Sequence, residues 1–240
     1  MTTTEGGTIR LSGLAVGYRR VPVLQELTGD FVSGSLTALI GPNGAGKSTL
    51  LMTLAGLLPP IEGSVITPSK DRGHIAYLPQ YAAIDRDFPI TVFDLVAAGL
   101  FQSIGSFRAP DVVAKQQIQK ALETVGLTPN AQMLIGHLSG GQLQRALFAR
   151  LIVQDAPTIL MDEPFTAIDT ATVDILLDLI LGWHKQGRTI IASLHDLDLV
   201  QRYFPQTVRI GKTSTDWGPT QNLQAHTHRA GPKNHLGDGM

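Results

Sequence analysis

The chain of 240 residues carries 19 Lys and Arg against 20 Asp and Glu, which gives a formal net charge of -1 at pH 7. This near-neutral balance provides no general attraction to nucleic acid or to an anionic membrane surface. The chain has no cysteine, so disulfide bonds, thiolate metal sites and a cysteine nucleophile are excluded.

Apolar runs in the chain are short. The richest one, Ile175 to Trp183, is interrupted by Asp178, whereas a membrane-spanning helix needs about 18 or more apolar residues. The first residues lack a basic segment followed by an apolar run, so we expect no signal peptide. At roughly 100–200 residues per domain, the length allows one elaborated domain or two small lobes.

The first predicted elements are two strands, Thr8 to Val16 and Gly29 to Ser35, with mixed alternation of apolar residues. Tyr18 lies between them. An aromatic residue here is consistent with ordinary strand packing. It is equally consistent with stacking on a nucleotide base, because a glycine-rich loop follows. The residues alone leave both interpretations open.

That glycine-rich loop fits the phosphate-binding pattern G-x-x-x-x-G-K-[ST], and it lies between a predicted strand, Leu36 to Ile40, and a predicted helix, Leu50 to Ala55. Glycines let backbone N–H groups approach phosphates closely. Lys47 is expected to reach the β- and γ-phosphates, and the Ser48 hydroxyl to bind Mg²⁺. A glycine-rich turn with an incidental lysine would not need this order of elements. The predicted phosphate-binding residues are Gly41, Pro42, Asn43, Gly44, Ala45, Gly46, Lys47, Ser48 and Thr49.

The next predicted strand, His74 to Leu78, ends just before Gln80. Ligands bind beyond the strand ends of open α/β sheets, so the Gln80 amide is a candidate to contact Mg²⁺ and an attacking water. A solvated loop glutamine is the alternative.

Strand signals fade from Tyr81 to Ile135, and we interpret this region as an inserted helical lobe. Its clearest helix follows Asp111, a plausible N-cap, and ends at Gly126. At the head of the lobe, Phe88 to Phe93 is apolar. This stretch is either lobe core or a surface for a partner.

The stretch Ser139-Gly140-Gly141-Gln142 opens a predicted helix. Its helix N-terminus is either a second anion-binding site or a plain loop in which Ser139 is the N-cap.

Two carboxylates end the predicted buried strand Thr158 to Met161. Charges beside a core must be paired or bound to metal. Asp162 therefore suits the Mg²⁺ shell, and Glu163 suits polarising a water. An ordinary acidic pair in a loop is the alternative.

A further helix, capped by Thr170 and stopped by Gly187, is predicted to carry His184 in its last turn. The buried strand Thr189 to Leu194 follows and ends at His195. This histidine is a candidate to bond a terminal phosphate, although a lone histidine is also compatible with a structural role.

The hydrophobic pattern is lost from Lys212, and we predict a flexible tail over residues 212–240, with poor order beyond about residue 220. His226, His228 and His235 lie in it. Neutral imidazoles bind zinc-like ions well, so the tail is either a metal sensor or a segment without function.

Taken together, the motifs GPNGAGKST, Gln80, LSGGQ, ILMDE, Asp169 and His195 resemble those of the ATP-binding cassette ATPases, from about Thr8 to Ile210. LSGGQ is the specific element, because phosphate loops are shared by many NTPases. The resemblance implies one α/β domain over 8–210. It would consist of a P-loop NTPase (RecA-like) mixed sheet, an N-terminal antiparallel β subdomain and a helical subdomain inserted at about 86–157.

The resemblance also implies a head-to-tail homodimer. Each of its two ATP molecules would lie between the phosphate loop of one protomer and the LSGGQ signature, Leu138 to Gln142, of the other. Residues Thr166 to Asp169 would cross the dimer interface. The remaining roles that it implies are adenine stacking by Tyr18, linkage to the transporter by Gln80, the catalytic base at Glu163, the switch histidine at His195, Mg²⁺ binding by Ser48, Gln80 and Asp162, and contact with the partner's γ-phosphate by Ser139, Gly140, Gly141 and Gln142.

Phe88-Pro89-Ile90-Thr91-Val92, preceded by Asp85 and Asp87, resembles a segment of ATPases from manganese, zinc and iron-chelate importers. It implies a peripheral subunit on the cytoplasmic face of a bacterial membrane, with permease subunits and a solute-binding protein as partners. A soluble ATPase acting on nucleic acid is the rival class, and the missing cysteines and heptads disfavour it. A nucleotide-binding protein without hydrolysis is the third, which Glu163 disfavours.

Overall fold

The computed structural model describes residues 7–67, 75–101, 110–166, 168–211 and 214–223. They form two sheets and six α-helices. The strands are β1 (Ile9–Tyr18), β2 (Val21–Phe31), β3 (Leu36–Ile40), β4 (Glu62–Ile66), β5 (Ile75–Leu78), β6 (Thr158–Asp162), β7 (Thr189–Ser193), β8 (Gln206–Ile210) and β9 (Thr215–Pro219). The helices are α1 (Lys47–Leu54), α2 (Val92–Ala97), α3 (Val112–Thr124), α4 (Gly140–Gln154), α5 (Thr170–Lys185) and α6 (Leu197–Tyr203).

The larger sheet has the strand order β5-β6-β7-β3-β8-β9. Its first five strands are parallel, and β9 pairs antiparallel with β8. Every residue of β3, β6 and β7 is buried. Strands covered on both faces carry continuous apolar runs, which is why these three were visible in the sequence. The predicted α/β class is confirmed.

The smaller sheet is antiparallel, with the order β2-β1-β4. The prediction of a strand from Gly29 to Ser35 is wrong, because β2 begins at Val21 and ends at Phe31. Ser35 then donates its backbone N–H to the Val32 carbonyl, 3.0 Å away, in a turn. Register shifts in the β1–β2 pairing break the alternation of inward and outward residues, so the sequence pattern is blurred here.

Three helices, α2, α3 and α4, lie between β5 and β6 in the chain, where the helical lobe was predicted, and their apolar faces join one buried cluster. Asp111 is the N-cap of α3, as expected, and accepts the Ala114 N–H at 2.8 Å. The predicted cap Thr170 is wrong by one residue. Asp169 is the N-cap of α5, and its carboxylate accepts the Thr172 N–H at 2.9 Å.

The C-terminal region differs from the prediction of a tail beginning at residue 212. Residues 215–219 form β9, and the Trp217 ring lies 4.9 Å from the Phe31 ring, centroid to centroid. A Cβ on Gly29 would stand 2.8 Å from the Trp217 ring, so the glycine admits the indole. One aromatic anchors a strand that is otherwise polar, and a hydrophobic pattern cannot reveal that. His226, His228 and His235 lie outside the described residues.

We expect Trp217→Ala to lower the free energy of unfolding by about 2–3 kcal/mol, somewhat less than for a fully buried tryptophan, because the ring is half-buried. Chemical denaturation measures this loss. Asp216→Ala, at an exposed position on the same strand, is the matched control and should leave the unfolding midpoint nearly unchanged. An unchanged midpoint in Trp217→Ala would contradict the role of β9.

Within the described residues, no helix is both long enough and apolar enough to cross a membrane.

Candidate functional site

The carboxyl ends of the parallel strands bring most of the predicted site residues to one edge of the large sheet. The phosphate loop follows β3, Gln80 follows β5, Glu163 follows β6 and His195 follows β7. Together they border a cleft of about 630 Å³. Its lining residues are Tyr18, Val23, Asn43, Gly44, Gly46, Lys47, Ser48, Thr49, Gln80, Glu163, Thr166 and His195.

The phosphate loop is held close to its neighbours at two glycines. A Cβ on Gly41 would stand 2.4 Å from the carbonyl oxygen of Ile210. A residue with a side chain would therefore clash with the backbone at this position. Gly46 has φ 93 and abuts the Leu24 side chain, where a Cβ would stand 2.7 Å from Cγ. Helix α1 begins at the next residue, so its first N–H groups have no intrahelical partner and border the cleft. This arrangement suits an anion.

Lys47 is buried and folds back over the loop. Its Nζ donates to the carbonyl oxygens of Gly41, at 2.8 Å, and Pro42, at 3.0 Å. Burial lowers the pKa of Lys47, although the negative charges of Glu163 and Asp162 oppose that change. A phosphate in the cleft would offer the ammonium a stronger, charge-assisted acceptor than these carbonyls.

Glu163, which also lines the cleft, is the centre of a hydrogen-bond network. Its Oε2 accepts from Gln80 Nε2 at 2.9 Å and from Thr166 Oγ1 at 3.2 Å, and its Oε1 lies 2.6 Å from His195 Nε2. Burial raises the pKa of Glu163, but the hydrogen bonds from His195, Gln80 and Thr166 outweigh it, so that the pKa lies below its ordinary value. The carboxylate is thereby kept ionised, as a general base requires.

Ser193, at the end of β7, was missed by the sequence analysis. Its Oγ donates to Asp162 Oδ1 at 2.6 Å and accepts the Glu163 backbone N–H at 2.9 Å. One hydroxyl therefore fixes the positions of both acidic residues. Glu163 also has a positive φ of 48, a conformation that costs about 1–3 kcal/mol and often occurs at functional sites. The available signal in the sequence was a polar serine near the end of a predicted buried strand, two residues before His195.

The signature residues lie elsewhere, and none of Ser139 to Gln142 lines the cleft of its own chain. Ser139 is the N-cap of α4 in a capping box, as one of the two interpretations predicted. Its Oγ accepts the Gln142 N–H at 3.2 Å, and Gln142 Oε1 accepts the Ser139 N–H at 2.9 Å. A Cβ on Gly141 would stand 3.3 Å from Asp169 Oδ2, so signature and Asp169 are neighbours.

The three predicted magnesium ligands supply oxygen donors only, namely the Ser48 hydroxyl, the Gln80 carbonyl and the Asp162 carboxylate. This set fits Mg²⁺, which takes few protein ligands and completes its octahedron with phosphates and water. Gln80 uses its amide nitrogen on Glu163, which leaves the carbonyl oxygen for a metal. In the part of the chain that the structure describes, no group of three or more His, Asp or Glu forms another metal site.

The sequence matches the family model for ABC transporters over residues 24–166. A manganese transport system ATP-binding protein from Listeria innocua is 38% identical over 217 residues, covering 89% of this chain and 90% of that protein. A zinc transport system ATP-binding protein from Treponema pallidum is 41% identical over 204 residues, covering 83% of this chain and 77% of that protein.

Solved structures of ABC transporters are also similar to this chain. One, described as an ABC transporter of the metal-chelate type in an inward-facing conformation, has a TM-score of 0.79 and 31% identity, covering 91% of this chain and 85% of that chain. A nucleotide-free ATP-binding cassette of an ABC transporter has a TM-score of 0.76 and 22% identity, covering 92% and 95%. The second likeness concerns the fold alone.

Proposed function

This chain belongs to the ABC transporter family, and from that premise we propose that it is the ATP-hydrolysing subunit of a bacterial importer for manganese, zinc or an iron chelate. The observation that carries the proposal is that Lys47 and Glu163 line the same cleft. The lysine offers a cation for phosphate, and the ionised carboxylate is held by three hydrogen-bond donors.

The phosphates of ATP would lie on the loop and on the first N–H groups of α1, with Lys47 on the β- and γ-phosphates. Tyr18 borders the cleft and is 49% exposed, and this exposure supports its proposed role of stacking on adenine. Mg²⁺, bound by Ser48, Gln80 and Asp162, would supply positive charge to the β- and γ-phosphate oxygens.

In hydrolysis, Glu163 accepts a proton from the water whose oxygen attacks the γ-phosphorus. The new P–O bond forms as the bond to the β–γ bridging oxygen breaks, and ADP leaves with that oxygen. Gln80 and His195 hold the Glu163 carboxylate from both of its oxygens, so the base is oriented before substrate arrives. His195 also lines the cleft, which supports its proposed role of bonding the γ-phosphate.

A second copy of the chain would complete the site. Because the signature does not line its own cleft, Ser139, Gly140, Gly141 and Gln142 would contact the γ-phosphate bound by a partner, in a head-to-tail homodimer. Asp169, next to Gly141, would then lie at the interface. Its pKa is lowered by hydrogen bonds from Thr172, which keeps it charged there.

The transport role follows from the relatives. Their names assign them to manganese and zinc transport systems, so we place this chain at the cytoplasmic face of the membrane with permease subunits and a solute-binding protein. Nothing in the described part of the structure favours the nucleic-acid alternative.

The proposal is tested by purifying the chain together with the permease that a neighbouring gene encodes. Uptake of manganese or zinc into membrane vesicles should then require both ATP and this complex. Pull-down of nucleic acid without a membrane protein would reject it.

His195→Ala should move the acid limb of the pH profile of kcat/KM to higher pH. The pKa of Glu163 in the folded chain is lowered, so the carboxylate stays ionised at pH values where a glutamate is ordinarily protonated. The hydrogen bonds to the ionised carboxylate are lost only as the pH falls through that lowered pKa. Without His195, one of the hydrogen bonds that lower the pKa of Glu163 is lost, and burial raises this pKa with less opposition. His184→Ala, on the last turn of α5, is the control and should keep the wild-type profile. An unmoved limb in His195→Ala would contradict this network.

Two exposed apolar sites are candidates for contact with the permease. The stretch Phe88 to Phe93 divides between the two interpretations. Phe88 is 56% exposed and is not lobe core, whereas Val92 is fully buried and Ile90 and Phe93 pack against the same core cluster. A groove of about 480 Å³ lies beside Pro79, and it is lined by Leu57, Phe101 and Arg150 but not by Phe88. Arg86, two residues before Phe88, turns inward and donates to the Tyr81 hydroxyl.

We expect Phe88→Asp to keep ATP binding and thermal stability while reducing co-purification with the permease and transport, because it places a charge in an exposed apolar contact. Leu57→Asp makes the same change in the groove, where Leu57 is 60% exposed. Comparing the two variants shows which site binds the permease. Loss of stability in Phe88→Asp would reject its docking role.

A further inference from the structure

Arg86 joins two motifs that lie far apart in the sequence. Its Nη1 donates to the Tyr81 hydroxyl at 2.8 Å, and its Nη2 donates to the carbonyl oxygens of Gly136, at 3.2 Å, and Leu138. The guanidinium carbon also lies 5.9 Å from the centroid of the Tyr81 ring. Tyr81 directly follows Gln80, and Leu138 directly precedes Ser139. One side chain therefore connects the Gln80 loop to the signature.

This arginine is not a solvated surface residue. Its Nε is buried without a hydrogen-bond partner, and leaving such a donor unpaired carries a cost. The backbone is equally constrained, because a Cβ on Gly136 would stand 2.8 Å from the Arg86 carbonyl oxygen. The side chain is therefore held in place by its acceptors on both motifs, although its Nε donor stays without a hydrogen-bond partner.

The connection extends to the catalytic carboxylate, since Gln80 donates to Glu163 at 2.9 Å. A covalent and hydrogen-bonded path thus runs from Glu163 through Gln80, Tyr81 and Arg86 to the residue before Ser139. Its first end borders the cleft of this chain and its last end does not. In the dimer of the proposed function, on which this inference rests, the two ends contact different ATP molecules.

We propose that Arg86 is a positioning residue that couples the two ATP sites of the dimer. When ATP enters the cleft and Gln80 leaves Glu163 for the nucleotide, Tyr81 moves with its neighbour. Arg86 transmits this movement to the signature, which then closes on the partner's ATP. The forked guanidinium suits this role, because its Nη1 bonds the hydroxyl while its Nη2 bonds the two carbonyls, whereas a lysine has a single nitrogen.

Spatial intermediacy alone does not demonstrate coupling, so the test is a double-mutant cycle in the full-length chain. Steady-state ATP hydrolysis is measured as a function of ATP for wild type, Arg86→Ala, Tyr81→Phe and the double variant. Tyr81→Phe removes a single oxygen and keeps the ring, so folding is preserved. We expect a Hill coefficient above one in the wild type that falls to one in both single variants.

We further expect kcat to fall about tenfold in each single variant and no further in the double variant, as for residues on one path. Affinity for ATP without magnesium, measured by calorimetry, should stay unchanged, because neither side chain lines the cleft. Arg202 and Tyr203 provide a matched control. Arg202 is exposed and lies 6.0 Å from the Tyr203 ring centroid, outside the site. Arg202→Ala and Tyr203→Phe should keep wild-type cooperativity.

Two results would overturn the inference and leave Arg86 with a local structural role. One is wild-type cooperativity in Tyr81→Phe, and the other is a loss of kcat in the double variant that equals the product of the single losses. A wild-type chain that hydrolyses ATP without cooperativity would also overturn it, although the proposed ATPase would stand. A wild-type chain that does not hydrolyse ATP at all removes both.

Discussion

Glu163→Gln is expected to bind ATP with wild-type affinity and to lose turnover by a factor of about 10²–10⁴, the usual contribution of a general base. The substituted side chain has the same shape, and its amide oxygen still accepts a hydrogen bond from Gln80 or His195. It does not accept the proton of the attacking water. Because ATP is bound but not cleaved, the variant should accumulate as the closed dimer.

Size-exclusion chromatography with ATP and Mg²⁺ measures the dimer, and phosphate release measures turnover. Thr166→Ala is the matched control. It removes the weakest bond to the carboxylate, at 3.2 Å, and leaves the base intact, so it should retain most of the activity. Hydrolysis at the wild-type rate by Glu163→Gln would show that another group acts as the base.

The sequence predicted the buried part of the fold well and its edges poorly. Every residue of β3, β6 and β7 is buried because both faces of each strand are covered, and the apolar runs within these strands placed them correctly. Strand β9 is polar except for Trp217, and it is held by pairing with β8 and by contact with Phe31. Both contacts are made with residues outside 215–219, so no pattern within that segment could indicate them.

The site shows a similar division. Motif spacing predicted that Lys47, Gln80, Glu163 and His195 come together, because parallel strands place their carboxyl ends at one edge. The sequence could not predict which side chains bond one another. The role of Ser193 and the inward turn of Arg86 depend on distances between strands and loops. These contacts hold the two acidic residues in place and connect the Gln80 loop to the signature.

Lys47→Ala is expected to weaken ATP binding, whereas Glu163→Gln is not. A charge-assisted hydrogen bond is worth ~1.5–3 kcal/mol, which corresponds to roughly a 10–150-fold higher Kd. Calorimetry with ATP measures this directly. Lys185→Ala, which removes an exposed lysine from the end of α5, is the matched control and should bind ATP like the wild type.

Thermal stability provides a second measurement of the same loss. Without nucleotide, Lys47→Ala should melt close to the wild type, because the side chain bonds only the loop carbonyls of Gly41 and Pro42, which solvent can hydrate. At an ATP concentration of about 100 times the wild-type Kd, bound ligand stabilises the wild type by about 2.7 kcal/mol, and a 100-fold weaker variant by only about 0.4 kcal/mol. The melting temperature of Lys47→Ala should therefore barely respond to ATP. A wild-type Kd together with a full ATP-dependent shift would refute the assignment of the phosphate loop.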